Sequence, residues 1–162
     1  MLRQDTAACL SQALTIAREL VTDGNDVAAV AVTGKEPRSL FVGHDYWRVN
    51  GADFEQQVAD DALQHENCGA LVVPLLYVAD PEGPSFRDPR NAMQAGETHM
   101  LFCLTWHERE GFDVHRVFYT RRPNGAPVFD AVESYDGAVQ LPATAPGAVL
   151  IRSAIQHGGS SS

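Results

Sequence analysis

Apolar residues recur at helical spacing near the start of the chain: Leu10, Ala13, Leu14, Ala17, Leu20 and Val21 fall on one stripe, with Ser11, Gln12, Thr15, Arg18 and Glu19 opposite. The pattern predicts a helix over 6–22, capped by Asp5 or Thr6 and stopped at Asp23-Gly24. Small apolar residues at 27–32 and a second run at 39–42, separated by the turn-like Gly34-Lys35-Glu36-Pro37, predict a hairpin. A second amphipathic helix is expected over 52–65, with Phe54, Val58, Ala59, Ala62 and Leu63 on its apolar arc and Asn50 or Asp53 as cap.

Residues 70–79 are apolar throughout, short and rich in Val and Leu, which predicts a strand buried on both faces. Pro74 removes a ladder donor, so the strand should be an edge or bulged at that point. The next stretch, 80–97, holds Pro81, Gly83, Pro84, Pro89 and Gly96 and reads as a long loop in which Asp88-Pro89 opens a helical turn or two. From 98 to 108 the chain alternates, with Met100, Phe102, Leu104 and Trp106 on one face and His99, Leu101, Cys103, Thr105 and His107 on the other. Glu108-Arg109-Glu110-Gly111 and Arg122-Pro123-Asn124-Gly125 read as three-residue hairpin loops, so strands are expected at 112–122 and 126–133. Weaker strand signals lie at 138–141 and 148–155, and 158–162 is a flexible Gly/Ser tail.

The order is α-β-β-α-β followed by a β-meander. It predicts a two-layer α+β domain, two amphipathic helices packed on one face of a mostly antiparallel sheet, with Phe118 joining the large residues of 98–108 against the helices. The chain has 162 residues, 44% of them apolar, no internal repeat and no shift in composition, so a single domain over 1–157 is expected.

Charge narrows the partners. Twelve Lys plus Arg against 21 Asp plus Glu leave a formal net charge of −9, which disfavours a chain-wide grip on duplex DNA or anionic lipid. Lys35 is the only lysine, a usage that suggests a GC-rich, bacterial genome. Cys9, Cys68 and Cys103 are odd in number, far apart and in no CxxC spacing, which argues against a disulfide framework or a cysteine-based zinc site and fits a reducing cytoplasm. No signal-like apolar region follows Arg3, and the longest apolar run is about half of a membrane span, so a soluble cytoplasmic protein is expected.

Two constellations carry candidate chemistry. If Glu108 lies opposite Phe112 and Arg122 opposite Ala126, His107 pairs with Asp113, Thr105 with His115, and His115 with Glu133. His107, Asp113, His115 and Glu133 would then gather on one sheet face, a set suited to zinc, iron or manganese or to acid/base work by a carboxylate-held histidine. The plainer alternative is a solvent-facing surface of polar pairs, with no cofactor at all. The second constellation is Phe86, Arg87 and Arg90 in the proline-braced loop, which can grip an anion or anchor a protein interface; the alternative is a loop pinned by contacts to Asp80 or Asp88.

Other features are plainer still. Tyr46-Trp47 after His44-Asp45 should close the core; Asp61 and His65 form an ordinary i,i+4 pair; Cys9 and Cys103 read as small buried hydrophobes. No phosphate loop, dinucleotide fingerprint, HExxH, GxSxG or deaminase motif occurs. The favoured reading is therefore an acidic protein-binding module, of the size and charge of antagonists or immunity-type inhibitors of basic partners, docking through the 80–97 loop or an acidic helix face of Asp53, Glu55, Asp60 and Asp61. The competing reading is a small enzyme using the His/carboxylate cluster, metal-assisted, with Arg87 or Arg90 holding an anionic substrate.

Overall fold

A computed structural model describes residues 4–48, 51–80, 83–135 and 145–156. The expected elements come first in the expected order: α1 (Gln4–Thr22), β1 (Ala29–Thr33), β2 (Ser39–Gly43), α2 (Gly51–Gln64) and β3 (Cys68–Asp80). β4 (Gly83–Arg87) pairs back onto β3, so five residues of the segment expected to be loop, 80–97, are a strand. The meander follows as β5 (Thr98–His107), β6 (Gly111–Arg121), β7 (Pro127–Phe129) and β8 (Glu133–Ser134). The chain then forms α3 (Ala148–Ile151), continued by a π-helical turn at Arg152–Gln156. The strand expected over 148–155 is thus helical; the strand expected over 138–141 and the flexible tail expected over 158–162 lie outside the described residues.

The sheet runs β2-β1-β3-β5-β6-β7, with β4 also on β3 and β8 also on β6, and every pairing is antiparallel. The protein is an α+β fold of helices on a mostly antiparallel sheet, as the sequence predicts. The helices, however, divide between its faces. The α1 stripe (Cys9, Leu10, Ala13, Leu14, Ala17, Val21) packs on Val30, Val32, Ala70, Val72, Leu101, Cys103, Val117 and Tyr119. From α2, Val58, Ala59 and Ala62, and from the C-terminal helical segment, Leu150, Ile151 and Ala154, pack on the opposite set: Leu71, Val73, Leu75, Met100, Phe102, Leu104 and Trp106. This explains why β3 is apolar at successive positions: both of its faces are covered, which removes about 25 cal/mol of apolar exposure cost per Å² on either side.

Pro74 sits inside this central strand without breaking it. β1 pairs with β3 only as far as Val72 and β4 only from Leu76, so on that side Pro74 faces a gap between two strands. A residue's N and O point to the same side of a strand, and the Pro74 carbonyl accepts a 2.8 Å hydrogen bond from Trp47 Nε1. The missing N–H therefore falls where no ladder partner exists, and the indole fills the gap.

The C-terminal segment is fastened by two buried polar side chains. Asn67 accepts from Trp106 Nε1 at 3.1 Å and donates to the Ala154 carbonyl at 2.8 Å. Glu55, expected on the acidic face of α2, is instead buried: its Oε1 accepts from Leu150 N–H at 3.0 Å, and its Oε2 from Gly147 N–H at 3.1 Å and from the Tyr46 hydroxyl. Burial, reinforced by the neighbouring Glu55 carboxylate, pushes the Tyr46 phenol well above its ordinary value.

Candidate functional site

The His/carboxylate cluster does not assemble as the register arithmetic predicts. Gly111, at φ 80°, enters the ladder opposite His107, so the β5–β6 turn closes two residues out of the expected register and Thr105 faces Asp113. A shift of two preserves the faces, which is why the alternation was still read correctly. The next turn closes as expected, with Arg122 N–H donating to the Ala126 carbonyl and Tyr119 opposite Phe129. One extra residue then intervenes before β8, so His115 meets Ser134 while Glu133 meets Arg116 and turns to the other face.

His115 is only 3% exposed, because α1 covers the face that was expected to meet solvent. Its Nε2 lies 2.9 Å from Thr105 Oγ1 and its Nδ1 2.8 Å from Ser134 Oγ, and burial pushes its pKa down, with Asp113 opposing. The structure thus holds a neutral, hydrogen-bonded core histidine. His107 accepts at Nδ1 from Arg109 N–H, and Asp113 is exposed. Among the described residues, no three His, Cys, Asp or Glu side chains are placed to hold a metal ion.

The arginine segment is internally satisfied. Arg87 makes a bidentate pair with Glu97 (Nε–Oε2 and Nη2–Oε1, both 2.7 Å) and donates to the Ala92 carbonyl; Gln94 N–H donates to the same carboxylate at 2.6 Å. The guanidinium holds the Glu97 carboxyl at about 2, against an ordinary 4.5. Arg90 bridges Asp88 and Asp45 at 2.8 Å each. Phe86 packs edge-on against Phe102, 5.6 Å between centroids, and tilts against Tyr77. The segment is pinned by arginine–carboxylate contacts, with its aromatic ring turned to the core.

The polar cavity lies elsewhere, at the β1–β2 turn and the end of α2. It is a pocket open to solvent, of about 370 Å³, bordered by Thr33, Lys35, Glu36, Asp61, His65 and Glu66. Thr33 points to the α2 side of the sheet and donates to Asp61 Oδ2 at 3.1 Å; His65 Nδ1 stands 3.0 Å from the Asp61 carbonyl and 3.6 Å from its Oδ1. Arg38 is tied to Glu36 at 2.6 Å.

Beside this cavity runs β2, at the end of the sheet. Its sequence, Ser39-Leu40-Phe41-Val42-Gly43, has no charge and no proline, and Leu40 is 50% exposed. The other strands that end the sheet are blunted: β7 is three residues long and begins with Pro127, β8 is two residues with Glu133, and β4 carries Pro84 and Arg87. Sequence reasoning named Asp61 on an acidic face of α2 and Lys35 in the β1–β2 turn but did not join them, because Thr33, Lys35 and Asp61 lie on three different elements and carry no motif. The signal available was an uncharged strand following a charged turn.

No family model matches the sequence, and neither the curated proteins nor the solved structures contain a match.

Proposed function

We propose that the protein is an acidic protein-binding module that receives an extended basic segment of its partner as an added strand on the β2 edge. The observation that carries this reading is the open, uncharged β2 edge with its exposed Leu40, set beside a carboxylate-rich rim. An added strand satisfies the free backbone groups of such an edge, and its alternate side chains meet what lies beside it. Here that is Glu36, Asp61 and Glu66, against Lys35 and the Glu36-bound Arg38. Basic partners in this sense include nucleic-acid-directed proteins that an acidic module would antagonise by occupying their cationic surface. The enzyme reading loses support because its four residues do not converge.

The test uses a synthetic ten-residue peptide of alternating Val and Lys, titrated into isotope-labelled protein at low and physiological salt. Expected are shifts concentrated in 36–43 and 61–66, weaker at higher salt, absent with an alternating Val/Glu peptide, and lost in Leu40→Lys with stability within about 0.5 kcal/mol of the parent. Shifts centred on 86–97, or none, overturn the proposal. A dimer in sedimentation that Leu40→Lys dissolves also overturns it, by making a second copy the occupant.

A further inference from the structure

We propose that Cys68 and Cys9 form a redox couple, in which Cys68 attacks and is oxidised by peroxide and Cys9 then closes a reversible disulfide. Their spacing in sequence argues against a bridge, but the fold brings them to one point. Thr33 faces Gly69 in the β1–β3 ladder, which sets Gly34 opposite Cys68, and Gly34 N–H donates to the Cys68 carbonyl at 2.9 Å. Cys68 shares the α1 side of β3 with Ala70 and Val72, and there Cys9 donates its thiol to the Gly34 carbonyl at 3.3 Å. The Cys9 thiol and the Cys68 backbone thus meet at a single glycine, with both side chains on the α1 side of the sheet. Both thiols are free and buried in this structure, Cys9 at 0% and Cys68 at 3% exposure, so oxidation reports on how readily a small oxidant enters beneath the β1–β2 turn.

Their surroundings make the two sulfurs unequal. The neighbouring Cys9 side chain and the Gly34 backbone favour the Cys68 thiolate; burial, Asp5 and Glu66 oppose, and the balance brings Cys68 down to about 7. The same contact, with burial, drives Cys9 upward, partly countered by Arg38. Arg38 interacts with Cys9, and its buried Nε has no partner meeting hydrogen-bond geometry among the described residues. Cys68 is the more acidic sulfur and Cys9 its proton-bearing neighbour, the division of labour of an attacking and a resolving cysteine. Cys103, fully buried on the same face of the sheet, is pushed up to about 12 and serves as an internal control.

In the first step the Cys68 thiolate attacks one oxygen of hydrogen peroxide. The S–O bond forms, the O–O bond breaks, hydroxide leaves and the sulfur is oxidised to a sulfenic acid. The Cys9 sulfur then attacks the Cys68 sulfur, its proton and the sulfenic hydroxyl leaving as water as the S–S bond forms. Two thiols and one peroxide give one disulfide and two waters. The bond would tie the first half of α1 to the start of β3, directly under the β1–β2 turn. It stands or falls independently of what docks on β2.

The test needs only the folded parent protein. After graded hydrogen peroxide at neutral pH, free thiols are alkylated and each cysteine is followed by peptide mass mapping without reduction. Expected are a Cys9–Cys68 cross-linked peptide accompanied by loss of two hydrogens, reversal by a thiol reductant, and loss of free Cys68 more than about tenfold faster than that of Cys103. Cys9→Ser should divert Cys68 to the sulfinic acid. Cys68 reacting no faster than Cys103 overturns the proposal, as does oxidation of Cys68 in the parent with Cys9 left free.

Discussion

Replacing Glu55 by glutamine changes one atom of a buried carboxylate and should cost the fold about 2–4 kcal/mol. Among the described residues the carboxylate meets three donors: Leu150 N–H on Oε1, and Gly147 N–H and the Tyr46 hydroxyl on Oε2. Glutamine offers one acceptor oxygen and one donor NH2. In its better orientation the oxygen keeps the two donors of the Oε2 side, and the NH2 is set against Leu150 N–H. A hydrogen bond to a charged group contributes about 1.5–3 kcal/mol, and a buried donor left unmade costs about 1–3 kcal/mol. The two retained bonds also lose their charge assistance. Tyr46→Phe is the milder companion, at about 0.5–1.5 kcal/mol, because the carboxylate keeps both backbone donors and the ring keeps its edge contacts with Trp47 and Phe54.

Urea unfolding measures both, read as midpoint shifts at constant slope; for the glutamine variant the midpoint should fall by roughly 1–2 M. Amide exchange at Leu150 should accelerate in Glu55→Gln and stay near the parent's in Tyr46→Phe. The reasoning fails if Glu55→Gln lies within about 0.5 kcal/mol of the parent, or if Tyr46→Phe costs as much as Glu55→Gln.

Glu97 supplies a pH signature: Arg87 holds its carboxyl at about 2 rather than 4.5, so the folded value lies below the unfolded one. That contribution is complete above about pH 4.5 and is lost as pH falls toward 2, so stability curves of the parent and Glu97→Gln should converge in acid; parallel curves would remove Glu97 from the acid response. A Cβ on Gly69 would stand 2.5 Å from the Val32 carbonyl oxygen and 2.7 Å from the Trp106 ring, so Gly69→Ala should lower stability by about 1–3 kcal/mol in thermal or urea unfolding, and a neutral result would show that β1 and β3 can part there. Duplex DNA should not be retarded in a mobility-shift assay at physiological salt, since Arg87, Arg90 and Arg121 are already paired with Glu97, with Asp45 and Asp88, and with Asp26; submicromolar binding would contradict this.

Local pattern carried α1, α2 and the faces of β5, because each was written in contiguous residues. The Asn124-Gly125 turn likewise set its own register: Gly125 adopts φ 88° and Arg122 closes on Ala126. The first turn misled by two residues because Gly111 belongs to the ladder as well as to the turn, a choice that turn residues alone do not make. β4 was hidden by Gly83 and Pro84, which read as loop; pairing with β3 outweighs their poor strand propensity. The meeting of Cys9 with Cys68 depends on three elements at once, and no spacing rule anticipates it.

The division of the helices between two faces was nonetheless written in the chain. A strand apolar at ten successive positions, 70–79, needs cover on both sides, and a two-layer domain provides it on one. Glu55 carried a second sign of the same kind. It lies three and four residues before Val58 and Ala59, on the arc that α2 buries, where a charge is unstable unless something meets it. Counting Glu55 with Asp53, Asp60 and Asp61 by charge alone put it in solvent; position on the helix puts it in the core and requires donors from a further element. That element is the C-terminal segment, whose Gly147 and Leu150 amides supply them. A polar residue at an apolar position of a helix thus pointed to a third helical element, beside α2, that the weak pattern of 148–155 did not reveal.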